Sequence, residues 1–517
     1  MPVKRAWDPP QCPIEMDELQ ARTRQCAEPR IPGYKSRMKQ RCNSPTQETG
    51  EAYMWTLAVR RLSSHVCVAW IWALGLVAAP SVLATEADEI DALFASVGQG
   101  HSPGASVIAI QSGKVLHKEG YGLANLEHSV PNTPQTKFRL GSVTKSFTAT
   151  AILMLHEQGL LSMDDPADMY LPDFPGSERT TLRHLLTHTS GLSESAEEPL
   201  LFEPGERISY SNFGYNLLGD IVEKVSGKSY EAYIQQHIFQ PLGMLSSGYD
   251  HHAPIVRHRA SGYSAAGNGE FVNADYTDMS GPHAAGALYS TVEDMYLWDQ
   301  ALYTDKLVQP ATLDLAYTPV KLSQGREGGY GMGWMLNDYR GLREVGHGGD
   351  ITGFNSYVAR FPDQRFSVVV LSNVGMRPPA SLPSAGEIAH RIAQIYLGGQ
   401  MEPEKEFVEV TVSAEVLDNY VGVYTLRAPE VVLSVAGSTL TIVREEERLF
   451  SETNLGKAAL RAASTTEFHQ EGMPLILTFT GSDEGQATGI LISAGGLREF
   501  SAHRADGSGD EDTDEGR

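Results

Sequence analysis

The fold is decided by the stretch FRLGSVTKSF, residues 138–147, which is predicted to begin a long amphipathic helix. Ser142 and Lys145 are three residues apart in it, so a helix places both side chains on one face. A serine hydroxyl is a weak nucleophile unless a neighbouring base accepts its proton, and a partly desolvated lysine amine can be that base. The helix N-terminus adds positive potential, which favours a developing alkoxide at Ser142. The spacing therefore indicates a nucleophile and its base on one helical turn.

A second polar set, Tyr210-Ser211-Asn212, precedes another predicted helix, from 215 to 225. Alternate side chains of an extended stretch point the same way, so Tyr210 and Asn212 are both predicted to face Ser142. A phenol beside a lysine ammonium gives up its proton more readily and can return it to a leaving group. Asn212 offers an amide to the substrate or to Lys145, and its alternative role is to cap the helix that follows.

A third set, His347-Gly348-Gly349, lies on a predicted strand. Its glycines let a substrate backbone approach closely. The N–H of Asp350, together with that of Ser142, can form an oxyanion hole. Alternation along a regular strand points His347 into the site and the Asp350 carboxylate away from it. The alternative for His347 is a buried structural histidine.

These three sets, in this order, resemble those of the penicillin-recognising serine hydrolases, which include class C β-lactamases, D-alanyl-D-alanine carboxypeptidases, D-aminopeptidases and related esterases. The resemblance covers about residues 88–398. It implies that Ser142 is the acylated nucleophile, that Lys145 and Tyr210 share the base role, and that Asn212 orients the substrate. Further matching stretches are LLTHTSG (185–191), PGERISYSN (204–212), PLGM (241–244), GALYST (286–291) and GHGGDITGF (346–354).

The third set departs from the β-lactamase form, which has Lys-Thr-Gly where this chain has His347-Gly348-Gly349. A lysine there holds the carboxylate of a β-lactam or of a C-terminal D-alanine, whereas a histidine is mostly neutral near pH 7. His-x-Gly is the form of the aminopeptidase and esterase branches. The resemblance therefore implies amide hydrolysis of small peptides, D-residue-containing ones included, through an acyl-enzyme. The alternatives are an esterase on small acyl esters, a weak β-lactamase, and a penicillin-binding sensor that acylates but hardly turns over.

Other candidate ligands give a weaker signal, and we predict neither a metal nor a cofactor. His184 and His188 have metal-ligand spacing on a helix, but no glutamate follows His184 in the zinc-peptidase pattern. Glu197 and Glu198 lie in a loop between two of the sets, where they either solvate the loop or bind substrate amines. Three further histidines are predicted to be loop residues: His251, His252 and His258.

The rest of the hydrolase region predicts an α/β (α+β) domain, an antiparallel sheet flanked by helices with a helical subdomain. A hairpin at 106–118 and a strand pair at 355–361 and 365–371 would bring both ends of the region into one sheet. A strand is predicted at 330–334, a helix begins at Ser290, and a last helix begins at Ser384 with a capping box. The segment from 251 to 283 lacks periodicity and reads as a long loop.

The chain as a whole divides into six predicted segments. Beyond the hydrolase domain, short strands at 421–424, 431–435, 439–443, 475–479 and 489–492 predict a small barrel, which resembles the lipocalin-like barrel of several peptidases of this family. The predicted segments are a disordered or misassigned extension (1–53), a signal peptide or signal anchor (54–84), the serine hydrolase domain (85–400), a linker (401–409), the barrel (410–503) and a disordered acidic tail (504–517).

Composition limits the partners and the compartment. The 517 residues carry a formal charge of −23, and the acidic excess follows residue 84, which argues against nucleic acid or an anionic membrane as partner. We expect an exported enzyme, periplasmic or secreted, that touches a membrane only if the signal segment stays uncleaved. Its partner is a small peptide or ester substrate, and self-association through the barrel is a further hypothesis. All four cysteines precede residue 85: Cys12, Cys26, Cys42 and Cys67.

Overall fold

The computed structural model describes residues 85–505 except 96, 98–100, 196, 267–269, 324, 376–382, 405, 428–436, 455, 472, 474, 482–484 and 495–497. The predicted extension, the signal segment and the tail from 506 onward lie outside the described residues. So do the four cysteines and the strand predicted at 431–435. Within the described part of the chain, no helix is both long and apolar enough to cross a membrane.

One large antiparallel sheet organises residues 85–400. The strands in chain order are β1 (Ala105–Gln111), β2 (Lys114–Tyr121), β3 (Leu123–Asn125), β4 (Val130–Pro131), β5 (Phe138–Arg139), β6 (Gly248–Tyr249), β7 (Tyr263–Ala265), β8 (Phe271–Asn273), β9 (Leu288–Ser290), β10 (Met335–Tyr339), β11 (Leu342–Ile351), β12 (Phe354–Phe361) and β13 (Phe366–Ser372). The large sheet has the order β10-β11-β12-β13-β1-β2. Since β1 pairs with β13, with Ile108 opposite Val369, the prediction of one sheet built from both ends is confirmed.

Helices cover both faces of this sheet. In chain order they are α1 (Glu86–Leu93), α2 (Thr144–Glu157), α3 (Leu182–Leu186), α4 (Asn212–Ser226), α5 (Tyr230–Ile234), α6 (Gln240–Leu242), α7 (His283–Gly286), α8 (Val292–Ala301), α9 (Pro310–Ala316) and α10 (Ala385–Leu397). Helices α1 and α10 pack on one face, where Ile90 and Ile388 join the core formed by Val368 and Val370. The capping box predicted at Ser384 is present.

Helix α2 is the centre of the larger core. Its residues are buried without interruption from Thr144 to Leu153, rather than on one face as an amphipathic pattern predicts. The reason is its position, because α2 shares one core with sheet residues such as Ile108 and Val369 and is also contacted by helices α4 and α7. A helix that is enclosed on all sides needs few polar contacts with water. Each polar group that it carries, Lys145 included, must therefore find a partner inside the protein.

Three local predictions need correction. Residues 330–334 are not a strand: Tyr330 forms only an isolated bridge to Met335, because Gly333 turns the chain with a φ of +81°. Helix α8 begins one residue later than predicted, since the Thr291 side chain accepts the N-cap hydrogen bond from Asp294 N. The segment from 251 to 283 contains the short β7–β8 hairpin.

Residues 410–505 contain a closed antiparallel barrel. It begins with α11 (Ala414–Asp418) and continues with β14 (Gly422–Arg427), β15 (Thr439–Glu445), β16 (Arg448–Thr453), β17 (Gly456–Ala462), β18 (Glu467–Gln470), β19 (Leu475–Thr480), β20 (Gly489–Ala494) and β21 (Arg498–Arg504). Strands β16, β17, β18 and β21 were not predicted. Arg504, which the sequence places in the acidic tail, ends β21, and its guanidinium donates to the carbonyl oxygens of Ala487, Val421 and Asn419.

Candidate active site

Two glycines bring the Ser142 segment against strand β11. Ser142 lies in a 3-10 turn, Gly141–Val143, directly before α2. Gly141 has a φ of +53°, and a Cβ there would come within 2.7 Å of Asp350 N. A Cβ on Gly349 would come within 1.9 Å of the Leu140 carbonyl oxygen. The contact between these two backbones therefore requires glycine at both positions and holds the Asp350 amide beside the turn that carries Ser142.

Lys145 is the centre of the candidate site. Its side chain is fully buried, and Nζ lies 3.2 Å from Ser142 Oγ, 2.8 Å from Asn212 Oδ1 and 2.9 Å from the Ala285 carbonyl oxygen. Two of these three partners are oxygens that can only accept a hydrogen bond. Two N–H bonds are thus directed to Asn212 and Ala285, and the third tetrahedral position of the amine faces Ser142. In an ammonium that position carries a proton, and in a neutral amine it carries the lone pair.

Tyr210 and Asn212 are brought to Lys145 by the start of helix α4. The Lys145 Nζ lies 4.7 Å from the centroid of the Tyr210 ring. The ring centroids of Tyr210 and the buried His188 are 4.2 Å apart. The N-cap of α4 is Ser211, whose Oγ accepts from Gly214 N. Asn212 therefore does not cap the helix, and its side chain is directed to Lys145 instead.

Several groups that complete this arrangement were not predicted from the sequence. The Ala285 carbonyl belongs to backbone, which carries no side-chain signal. The exposed Glu194 carboxylate accepts from Asn212 N at 3.1 Å and from Phe213 N at 3.3 Å. It therefore offsets the partial positive charge at the N-terminus of α4. His188, whose Nδ1 accepts from Ser211 N at 3.1 Å, lies within the matching stretch LLTHTSG but was considered only as a metal ligand.

His347 is buried and both of its ring nitrogens have protein partners. Only 1% of the residue is exposed. Its Nδ1 lies 2.6 Å from the Gly348 carbonyl oxygen, which can only accept, so Nδ1 carries the proton. Its Nε2 then accepts from the Tyr330 hydroxyl at 2.8 Å. Burial, and after it the nearby Lys145 ammonium, lowers the pKa of His347 to about 3. The neutral imidazole expected at this position is therefore enforced by its surroundings.

This burial predicts a pH effect on stability. Between pH 6.5 and pH 3 the unfolded chain binds a proton at His347 that the folded chain does not, so the free energy of unfolding falls as the pH is lowered. The contribution is about 1.4 kcal/mol per pH unit over this window. In His347→Gln it is absent, so urea unfolding between pH 7 and pH 5 should give a shallower pH slope than in the wild type.

The exposed His128 supplies the matched control for this measurement. His128→Gln should keep the wild-type slope, because it removes an exposed histidine and leaves the buried His347 in place. Parallel slopes for the wild type and His347→Gln would contradict the burial of a neutral His347.

The alternative ligand residues are dispersed. Among the described residues no group of three or more His, Cys, Asp or Glu side chains is placed to hold a metal ion. His184 Nδ1 instead accepts from Thr181 N within the N-terminal cap of α3. His251 Nε2 lies 2.6 Å from Glu231 Oε2, and His252 Nδ1 lies 2.6 Å from the Tyr276 hydroxyl. His258 lies in the loop before β7, as predicted.

An open cavity of about 520 Å³ borders the candidate oxyanion donor. Asp350 lines it, together with Thr352 and Gly353 after β11 and with Ser264 and Ala265 of β7. Glu197 is exposed and Glu198 is half-buried in the loop that precedes α4. Their role in binding amines stays a prediction.

Comparison with known proteins identifies the class and then the family. A family model described as Beta-lactamase matches residues 89–390. Penicillin-binding protein 4* of Bacillus subtilis (strain 168) is 30% identical over 451 residues, which cover 79% of this chain and 97% of that protein. Fold and sequence together define a serine hydrolase with an appended barrel. The chain belongs to the beta-lactamase family, which confirms the resemblance and the fold class inferred from the sequence.

Two solved structures extend the comparison. The octameric penicillin-binding protein homologue from Pyrococcus abyssi aligns with a TM-score of 0.54 and 25% identity, covering 80% of this chain and 99% of that one. A D-stereospecific amidohydrolase from Streptomyces sp. aligns with a TM-score of 0.50 and 25% identity, covering 60% of this chain and 98% of that one. The first alignment extends well beyond the hydrolase region, whereas the second has about the length of that region.

Proposed function

We propose that the protein hydrolyses amide bonds of small peptides through an acyl-enzyme on Ser142. The observation that carries this proposal is the position of Lys145 Nζ, which two acceptor oxygens orient so that its third direction faces Ser142 Oγ at 3.2 Å. A neutral amine in this place accepts the serine proton as the hydroxyl attacks. This geometry supports Ser142 as the proposed nucleophile and Lys145 as the proposed base.

The remaining residues supply the other steps of acyl transfer. Ser142 Oγ forms a bond to the substrate carbonyl carbon, and its proton moves to Lys145 Nζ. The carbonyl oxygen becomes an oxyanion, for which the N–H groups of Ser142 and Asp350 are the proposed donors. Tyr210, beside the lysine, passes the proton to the leaving nitrogen as the amide bond breaks. Water then attacks the acyl-enzyme with the same groups acting in reverse, and the free acid leaves.

The neutral third set favours substrates without a carboxylate anchor. His347 keeps no charge near neutral pH, and both its ring nitrogens are bonded within the protein, so we assign it a positioning role beneath Gly348 and Gly349. This removes the cation with which β-lactamases and carboxypeptidases hold a carboxylate. The named activity of the Streptomyces amidohydrolase supports an amino acid amide or a short peptide, with D-configuration at the scissile residue, as the substrate class.

Export and assembly complete the proposal. We infer that residues 54–84 direct export and that cleavage before Thr85 releases a protein with a hydrolase domain (85–400), a linker (401–409) and a barrel. The octameric state of the Pyrococcus abyssi homologue supports self-association of this chain as well. We assign no separate role to residues 1–53.

A matched substrate pair tests the proposed activity. We expect D-alanyl p-nitroanilide and the corresponding p-nitrophenyl ester to be cleaved with kcat/KM values within about tenfold, because an enzyme that protonates the leaving amine gains little from a better leaving group. The L-anilide should be cleaved more slowly. Fast ester cleavage without anilide turnover would establish an esterase instead, and burst release of one equivalent without turnover would establish a penicillin-binding sensor.

A further inference from the structure

Aromatic side chains pack together at one end of the barrel of residues 410–505. At that end Tyr420 stacks on Phe479 with ring centroids 4.0 Å apart, and Phe468 and Tyr424 pack around them. The other end encloses a cavity of about 370 Å³. Protein interiors rarely contain voids much larger than a water molecule, so a volume of this size between the described side chains has room for a ligand. An eight-stranded barrel is just wide enough to hold one small ligand.

Small residues on two adjacent strands create this hollow. Ser451 on β16 and Ala458 on β17 are cross-strand partners, and both line the cavity. One pair further toward the filled end, the inward partners are Leu449 and Leu460, both buried. The change from two leucines to a serine and an alanine removes the side chains that would close the barrel.

The wall of the hollow, as far as the described residues form it, is mostly apolar. Four leucines, Ile492, Phe500 and Met473 contribute to it. Ser451 donates to Gln470 Oε1 at 3.0 Å, so these two polar groups bind each other. The ammonium of Lys457 points to the outer face, where it pairs with Glu445 at 2.5 Å and Glu452 at 3.0 Å. Lys457 and Glu471 are the charged residues of the described lining, and both are exposed, so its buried part carries no charge.

We propose that the hollow half of the barrel binds an uncharged hydrocarbon chain or ring of one small molecule. Its volume lies in the range of small-molecule sites, and its lining matches apolar ligands, which gain free energy in proportion to the surface that they bury. The aromatic cluster of Tyr420, Phe468 and Phe479 forms the floor that limits how deep the chain can enter. This site is separate from the serine site and does not depend on the proposed amide hydrolysis.

The full chain can be tested with the uncharged fluorophore N-phenyl-1-naphthylamine. We expect blue-shifted emission that saturates at one equivalent per chain. Ala458→Leu, which projects a larger side chain into the hollow, should weaken binding at least tenfold. Ala459→Leu is the matched control, because the neighbouring residue faces the outer side of the same strand, and it should bind as the wild type does.

Two results would overturn the proposal. One is wild-type protein that does not bind the probe, or Ala458→Leu that binds it as tightly as Ala459→Leu does. The other concerns stability: a leucine that fills empty space should leave the melting temperature unchanged or higher. A clear fall in the melting temperature of Ala458→Leu, absent in Ala459→Leu, would mean that the protein's own atoms already fill the space.

Two sources offer the same hydrocarbon chemistry, a separate lipid-like molecule and the acyl tail of a substrate attacked by Ser142. Kinetics with p-nitrophenyl acetate and p-nitrophenyl decanoate separates them. If the tail enters the barrel, Ala458→Leu lowers kcat/KM on decanoate alone. If the occupant is a separate molecule, Ala458→Leu loses probe binding and leaves kcat/KM on both esters unchanged.

Discussion

Replacing Ser142 by alanine is expected to lower kcat/KM on the anilide and the ester by on the order of 10⁴-fold or more, because no acyl-enzyme can then form. The folded structure should hardly change. Ser142 Oγ is one of several partners of Lys145, and the amine keeps its bonds to Asn212 and Ala285. Thermal unfolding should therefore stay close to that of the wild type while the activity is lost.

Ser146 supplies the matched control. It lies one helical turn further along, is buried, and donates to the Val143 carbonyl oxygen at 2.8 Å. Ser146→Ala removes a buried hydroxyl from the same helix and should retain turnover. Mass spectrometry of protein trapped with a slow acylating substrate should find the adduct on the peptide that contains Ser142, and no adduct in Ser142→Ala. Activity that survives in Ser142→Ala would place the nucleophile elsewhere.

The sequence predicts those parts of the candidate site that depend on local geometry. Ser142 and Lys145 meet because three residues span less than one helical turn. Tyr210 and Asn212 reach Lys145 from either side of Ser211, although Asn212 already begins α4 and is not in the extended stretch that was predicted. The strand predicted at His347 is also present, as β11. These inferences need no knowledge of the rest of the chain.

The parts that could not be predicted come from tertiary contacts. The Ala285 carbonyl joins Lys145 across 140 residues of sequence, and Tyr330 meets His347 because Gly333 redirects the chain. Glycine at position 349 was predicted to make room for a substrate backbone. In the structure it makes room for the carbonyl oxygen of Leu140. A pattern of residue types indicates that glycine is required but does not tell what it approaches.

The barrel shows the same limit at the level of the fold. Strand β17 has three alanines and two basic residues in seven positions and gives no strong β signal in isolation. It is a strand because its neighbours β16 and β18 complete a closed barrel and satisfy its backbone. The Arg504 guanidinium, which holds three carbonyl oxygens, looks from sequence like the first residue of a charged tail. Long-range pairing decides both cases.

Replacing Lys145 is expected to have the second-largest effect on activity. It distinguishes two roles of the side chain, as a proton acceptor and as a positive charge. Lys145→Met keeps the length of the side chain but removes the amine, so kcat should fall on the order of 10³-fold, the usual contribution of a general base. Lys145→Arg keeps a positive charge in the site but cannot accept a proton. If Lys145 acts as the base, Lys145→Arg should be as inactive as Lys145→Met.

Stability and coupling complete this experiment. Both variants leave Asn212 Oδ1 and the Ala285 carbonyl with altered partners, so each should lose about 1–3 kcal/mol of unfolding free energy, and the kinetics must be measured well below the melting temperature. Lys118→Met, at an exposed surface pair with Glu293, controls for the loss of a lysine.

If Ser142 and Lys145 act as one unit, the double variant should be no less active than Ser142→Ala alone. A Lys145→Arg enzyme within tenfold of the wild type would show instead that the site needs a cation here, and the base would have to be another group, with Tyr210 beside it the first to examine.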